Sequence, residues 1–169
     1  MTQQLSWIHN DPVLNKITWH LYIDGAARGN PGPAGIGIYL IRDSEPIVRE
    51  GFFIGAGTNN QAEYTALLLG LCRLHMLMSL AARVHIYSDS QLLVRQIQSI
   101  YRVQNPILQK LHKRAHELLK DVDYKIHHIP RADNKIADAL ANEGIEQLRL
   151  IPDDLQHACG VNHMGLPCD

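Results

Sequence analysis

Cysteine is scarce in this chain, and so are long uninterrupted runs of apolar residues. Three cysteines in 169 residues are too few for the disulfide framework of a small secreted domain, which favours a reducing compartment. The longest apolar run, residues 66–80, is broken by glycine, arginine, histidine and serine, so it is too polar to cross a membrane. Residues 1–16 lack the apolar stretch of a signal peptide. A cytoplasmic protein without a membrane partner is therefore expected.

Positive and negative residues are nearly equal in number, and the formal net charge is −1. The balance is uneven along the chain, because residues 83–135 carry ten Lys or Arg and only five Asp or Glu. This basic segment indicates either a surface that faces phosphates or a set of solvated helix faces. A chain of this length is expected to form one domain, and we expect a monomer.

Periodicity and turn residues predict a mixture of strands and helices. Residues 17–24, 35–41 and 47–54 alternate as three strands of a meander, and residues 83–88 and 124–129 are two further strands. Helices are predicted at about 60–80, from 90 onward, at 106–120 and at 134–148, the last with Asp133 as its N-cap. The predicted organisation is an N-terminal extension over 1–16, a domain over 17–148 and a polar tail over 149–169.

These elements predict an α/β fold with a five-stranded mixed sheet flanked by helices. Crossover rules make the fourth strand parallel to a strand of the meander. If that neighbour is the first strand, Asp24 and Asp89 lie at matching ends of strands roughly 5 Å apart.

Four acidic residues occupy similar positions at the ends of apolar elements: Asp24, Glu63, Asp89 and Asp138. If they converge, their mutual repulsion needs cations, so the pattern predicts a divalent metal site. The alternative is local: Asp24 and Asp89 as turn residues, and Glu63 as the capping-box partner of a helix that starts near Asn59 and Asn60.

Four segments carry a family resemblance. They are DGAARGNPGPAG at 24–35, TNNQAE at 58–63, SDSQ at 88–91 and NKIADALA at 134–141. Together, and in this order, they resemble type 1 ribonuclease H over residues 17–148. The resemblance implies the ribonuclease H-like fold and an endonuclease that cuts the RNA strand of RNA–DNA hybrids, leaving 3′-hydroxyl and 5′-phosphate ends.

The resemblance also implies a cofactor and a set of site residues. The cofactor is a pair of Mg²⁺ ions, with Mn²⁺ as a substitute. Asp24, Glu63, Asp89 and Asp138 fall on the family's catalytic, metal-binding carboxylates. The residues that fall on positions contacting the hybrid are Asn30, Thr58, Asn59, Asn60 and Gln91.

Two features depart from many members of that family. The loop before the last carboxylate contains no histidine. We expect Arg131 to take over its catalytic role, with His127 and His128 as second candidates. Arginine does not act as a base at working pH, so its expected role is phosphate contact or charge stabilisation. The basic handle is also missing; the cations expected to replace part of it are Arg95, Arg102, Lys110, Lys113 and Arg114.

Two further alternatives concern the tail and the activity. The tail holds His157, Cys159, His163 and Cys168, a set that suggests a transition-metal site although its spacing fits no zinc pattern. Cys72, amid apolar helix residues, is expected in the core. The alternatives to a ribonuclease H are another nuclease on the same fold, or a hybrid-binding module without catalysis.

Overall fold

The computed structural model describes residues 17–78 and 82–168, in which five strands form one mixed sheet. The strands are β1 (Thr18–Ala27), β2 (Gly32–Arg42), β3 (Glu45–Gly57), β4 (Arg83–Ser88) and β5 (Asp123–His128). The helices are α1 (Asn59–Leu77), α2 (Gln91–Ile97), α3 (Pro106–Leu119), α4 (Lys135–Gln147) and α5 (Asp153–Cys159), with a 3₁₀ turn at Arg131–Asp133. The predicted fold class is confirmed. The predicted extension over 1–16 lies outside the described residues.

The sheet order is β3-β2-β1-β4-β5. β1, β2 and β3 pair antiparallel, as the predicted meander requires, whereas β4 runs parallel to both β1 and β5. β2 and β3 extend beyond their predicted ends because a tight turn joins them, with Asp43 in the left-handed region at φ 54°. The predicted neighbourhood of the first and fourth strands is confirmed.

Helices cover the two faces of the sheet in different ways. α1 lies on the face that carries Leu21 and Ile23, where its Gly70 leaves room for both side chains. α4 lies on the opposite face, against Gly37 of β2 and Gly51 of β3, where a Cβ atom would collide with the α4 backbone. The glycines of β2 and β3 therefore determine how closely α4, which carries Asp138, approaches the sheet.

The segment after α4 differs from the predicted polar tail. Arg149 accepts a hydrogen bond from the backbone of Phe53 at 2.6 Å, and α5 then packs against α1. Leu155 and Cys159 are fully buried in the main core. Pro152 directly precedes α5, because proline is tolerated at the start of a helix.

Two of the three cysteines are joined, contrary to the expectation from their number. Cys72 of α1 and Cys159 of α5 form a disulfide, with their Cα atoms 5.7 Å apart. Cys72 is buried, as predicted, and Cys168 is exposed. Cys72 lies on α1, which packs against α5, but its partner is 87 residues away and could not be deduced from the sequence. The argument for a reducing compartment from the cysteine count is thereby removed.

None of the helices in the described residues is long and apolar enough to cross a membrane. This agrees with the interruptions of the apolar run in α1.

We predict that Leu155→Ala lowers the free energy of unfolding by about 2–4 kcal/mol, because it removes a fully buried side chain from the core. Leu150→Ala is the matched control, since Leu150 is 60% exposed. Urea denaturation measures both variants. Equal stabilities would show that α5 does not belong to the core in solution.

Candidate active site

Three of the four predicted carboxylates meet at one edge of the sheet. Asp24 lies toward the end of β1, Glu63 in the first turns of α1, and Asp89 directly after β4. One carboxylate oxygen from each lies within 4.8 Å of the others. Asp138, in the first turn of α4, lines the same cleft, which has a volume of about 420 Å³. All four residues therefore face one space, with the first three in the closest group.

The pairing of β1 with β4 explains how Asp24 and Asp89 come together. Tyr22 and Tyr87 are directly paired in the parallel register, and each aspartate follows two residues later. Gly25 then lets α1 approach, because a Cβ atom at this position would collide with the backbone of Ala62 and Glu63. The close approach brings the Glu63 side chain to the two aspartates.

A different residue caps α1 from the one expected. Thr58 is the N-cap, accepting a hydrogen bond from the Gln61 backbone at 3.2 Å, and the Gln61 side chain accepts from the Thr58 backbone at 2.8 Å. The alternative capping box with Glu63 is therefore not formed, because Thr58 is the N-cap and the N3 position belongs to Gln61. Glu63 is consequently free to point into the cleft.

Burial and mutual repulsion disfavour the charged forms of these carboxylates. The pKa of Asp24 is raised to about 8, mainly by burial and further by Asp89 and Asp138. The pKa of Glu63 is raised well above its usual value by burial, then by Asp24 and Asp89. Among the described residues, Glu63 Oε2 is buried without a hydrogen-bond partner. Such a group of oxygens fits a divalent cation, which would neutralise the charge and fill the unused acceptor.

Arg131 lies at the rim of the cleft. It is the residue predicted to replace the missing loop histidine. Its Nη2 atom donates a hydrogen bond to Asp138 Oδ1 at 2.6 Å, and its side chain is 76% exposed. Of the two alternative histidines, His128 Nε2 lies 3.2 Å from the Asp89 carbonyl oxygen, whereas His127 stacks on His85. Arg131 and His128 are thus beside the carboxylates, and His127 lies on the open sheet face.

Two of the five predicted hybrid-contacting residues line the cleft directly, and a third is bonded to them. Asn59 and Asn60 line the cleft with the carboxylates. Asn59 Oδ1 accepts from the Ala27 backbone at 2.8 Å, and Asn30 Oδ1 accepts from the Asn59 backbone at 3.3 Å. These bonds hold the β1–β2 turn against the start of α1. Gln91 is exposed at the first position of α2, and the hydroxyl of Thr58 is used as the helix cap.

Asn134 is a site residue whose role sequence reasoning missed. It is buried, and its Nδ2 atom donates to the Ile23 carbonyl at 2.9 Å and to Asp89 Oδ1 at 3.3 Å. It thereby ties the chain before α4 to both aspartate-bearing strands. Its place in the NKIADALA segment was the available signal. Asp133, the predicted cap, lies in the 3₁₀ turn, and Asn134 occupies the N-cap position without a side-chain capping bond.

The alternative of a transition-metal site in the tail finds no support in the described residues. Cys159 is joined to Cys72, and His157 Nδ1 contacts the Asp153 carbonyl oxygen at 2.6 Å. Within residues 17–78 and 82–168, the carboxylate group of Asp24, Glu63 and Asp89 is the one found with three converging acidic, histidine or cysteine ligands.

Comparisons with known proteins agree with this fold and site. Residues 22–144 match a family described as reverse transcriptase-like. A ribonuclease HI of Halobacterium salinarum is 43% identical over 134 residues, which cover 75% of this chain and 64% of the relative. The crystal structure of RNase H1 from that archaeon superposes with a TM-score of 0.73 at 41% identity, covering 77% of this chain and 98% of the other.

A second structure is that of LC11-RNase H1 in complex with an RNA/DNA hybrid. It has a TM-score of 0.70 at 37% identity and covers 78% of this chain and 98% of the other. The chain spans less than two thirds of the length of the first curated relatives it matches. These matches define a ribonuclease H-like protein, and this chain belongs to the type 1 ribonuclease H family.

The raised pKa of Asp24 predicts how metal-free stability depends on pH. A carboxyl whose folded pKa is about 8 binds its proton more tightly than in the unfolded chain, so this group's contribution declines as pH rises from about 4 to about 8. Asp24→Asn removes that contribution. In EDTA at pH 8 we expect the variant to be more stable than the parent by roughly 1–3 kcal/mol.

Thermal or urea denaturation at pH 5 and pH 8 measures the effect. The difference between the two proteins should shrink at pH 5. A variant that is less stable than the parent at pH 8 would show that Asp24 is not destabilised by its neighbours.

Proposed function

We propose that this chain is a metal-dependent endonuclease that hydrolyses the RNA strand of RNA–DNA hybrids, leaving 3′-hydroxyl and 5′-phosphate ends. The main observation in support is that three carboxylates, those of Asp24, Glu63 and Asp89, converge in one cleft. Asp138 lines the same cleft. Family membership supports the reaction, and the relative crystallised with an RNA/DNA hybrid supports the substrate.

We propose that the cofactor is a pair of Mg²⁺ ions, which Mn²⁺ can replace. Mg²⁺ prefers oxygen ligands, and the buried carboxylates with the unpartnered Glu63 Oε2 provide them. Asp24, Glu63, Asp89 and Asp138 would hold the ions. When bound, such ions lower the pKa of water and stabilise the charge on a leaving oxygen.

The protein's own part in the reaction is orientation. Asn134 fixes the Asp89 carboxylate against the end of β1, so the group is held before substrate arrives. The residues proposed to contact the hybrid are the amides Asn30, Asn59, Asn60 and Gln91, together with Thr58 at the start of α1. Amides donate and accept, which suits ribose 2′-hydroxyls and base edges in a wide minor groove.

Arg131 is proposed to contact phosphate rather than to remove a proton. The hydrogen bond to Asp138 raises the pKa of its guanidinium, so the group keeps its charge at working pH. Its high exposure leaves it able to exchange Asp138 for a phosphate oxygen.

The deciding experiment uses one end-labelled sequence as RNA–DNA hybrid, double-stranded RNA and double-stranded DNA, each with Mg²⁺, Mn²⁺ or EDTA. Cutting confined to the RNA strand of the hybrid and abolished by EDTA is expected. Binding without cutting would identify a hybrid-binding module. Cleavage of another duplex would identify a different nuclease.

Asp24→Asn should lower Mg²⁺-dependent cleavage of the hybrid by roughly 100-fold or more, because loss of a direct metal ligand exceeds the effect of losing an outer partner. Asp121→Asn is the matched control, since Asp121 is exposed after α3. Single-turnover cleavage measures both. Normal cutting by the Asp24 variant would refute the proposed site.

Arg131→Ala should lower cleavage by about tenfold, whereas Arg131→Lys should retain part of the activity, because a lysine keeps the charge without the planar fork. Arg83→Ala is the control, since Arg83 lies at the far end of β4 and pairs with Asp123. A pH–rate profile separates charge stabilisation from proton transfer. If removing Arg131 shifts the pH optimum without lowering the plateau, its phosphate role is wrong.

A further inference from the structure

Two histidines on α3 lie one helical turn apart and point the same way. Residues four positions apart share a helix face, and His112 and His116 have that spacing. Their Nε2 atoms are 3.1 Å apart, and the ring centroids are separated by 4.4 Å. Both residues are half-buried.

A third electron-rich atom joins this pair from α2. The backbone oxygen of Gln96 lies 3.2 Å from His112 Nε2, and Gln96 is buried. That oxygen also accepts hydrogen bonds from the backbone of Ser99, at 2.9 Å, and of Gln98. The cluster therefore links the last turn of α2 to the middle of α3.

Protons satisfy this cluster poorly. An imidazole nitrogen carries either one hydrogen or one lone pair in the ring plane. If His112 Nε2 carries hydrogen, that atom is shared between the Gln96 oxygen and His116. If it carries a lone pair, this pair faces the lone pair of Gln96. In neither form can both close contacts of His112 Nε2 be hydrogen bonds with a separate hydrogen atom each.

We propose that His112 and His116 chelate a divalent transition metal such as Zn²⁺, with the Gln96 carbonyl oxygen as a third ligand and water completing the shell. Two nitrogens bound at about 2.0–2.1 Å would lie roughly 3 Å apart, which is the separation observed. Burial and His112 lower the pKa of His116, which favours its neutral, ligating form. The metal would join α2, the helix that follows Asp89, to α3.

A second histidine pair provides the internal control. His85 Nδ1 and His127 Nε2 are 3.0 Å apart on the open sheet face. One hydrogen between those two nitrogens satisfies both atoms, so this pair does not need a cation.

The test is Zn²⁺ binding to the full chain in excess Mg²⁺, so that the carboxylate cleft is occupied by its own ion. Affinity is measured by competition with a chromogenic chelator, and imidazole ¹⁵N spectra identify the nitrogens whose resonances move. His112→Gln and His116→Gln keep a hydrogen-bonding side chain, and metal-free thermal unfolding checks that each variant is folded. His127→Gln is the matched control.

We expect one Zn²⁺ to shift the Nε2 resonances of His112 and His116 together. Each of their variants should lose affinity by roughly tenfold or more, and the His127 variant should not. Unchanged affinity in both α3 variants, or a loss only in the His127 variant, would overturn the proposal. Failure of the parent chain to bind Zn²⁺ under these conditions would also overturn it.

Discussion

The parallel pairing of β1 with β4 is the contact on which the candidate active site depends. Among the strands of the described residues, it is the junction where the antiparallel meander meets the parallel half of the sheet. Ligands of α/β sheets bind beyond the carboxyl ends of parallel strands, and Asp24 and Asp89 lie at that position. α1 and α4 then approach from opposite faces and bring Glu63 and Asp138. A change of register between β1 and β4 would separate the aspartates and reverse which face each side chain occupies.

The cost of this arrangement falls on the folded state. Burial and like charge raise the pKa values of Asp24 and Glu63, so the core beneath them must compensate for the repulsion. The Leu21 and Ile23 side chains point to the face of β1 opposite Asp24. Both are fully buried, so they anchor this strand to the core. Neighbouring positions of β1 therefore serve opposite purposes: one face stabilises the fold and the other carries the charge on which the proposed function depends.

The sequence predicted the elements whose signals are local. Alternation located the strands, and the acidic residues at element ends located the cleft. It did not predict the Thr58 cap or the buried hydrogen bonds of Asn134, because these depend on which groups become neighbours after folding. It also did not predict α5 within residues 149–169, since a helix of seven residues gives only a weak periodic signal. The Cys72–Cys159 pair was missed for a similar reason: two buried sulfur atoms 87 residues apart carry no local signature.

The Cys72–Cys159 disulfide separates the residues of the site into two groups along the chain. The covalent ring it closes contains Asp89, Arg131 and Asp138, whereas Asp24 and Glu63 precede it in the chain. A single backbone cut between α2 and α3, in residues 98–105, would thus leave one covalent molecule whose two pieces are joined through sulfur. Only reduction would release the part that carries Asp138 from the part that carries Asp24. Two independent covalent connections therefore link Asp24 to Asp138: the backbone, and the disulfide between α1 and α5.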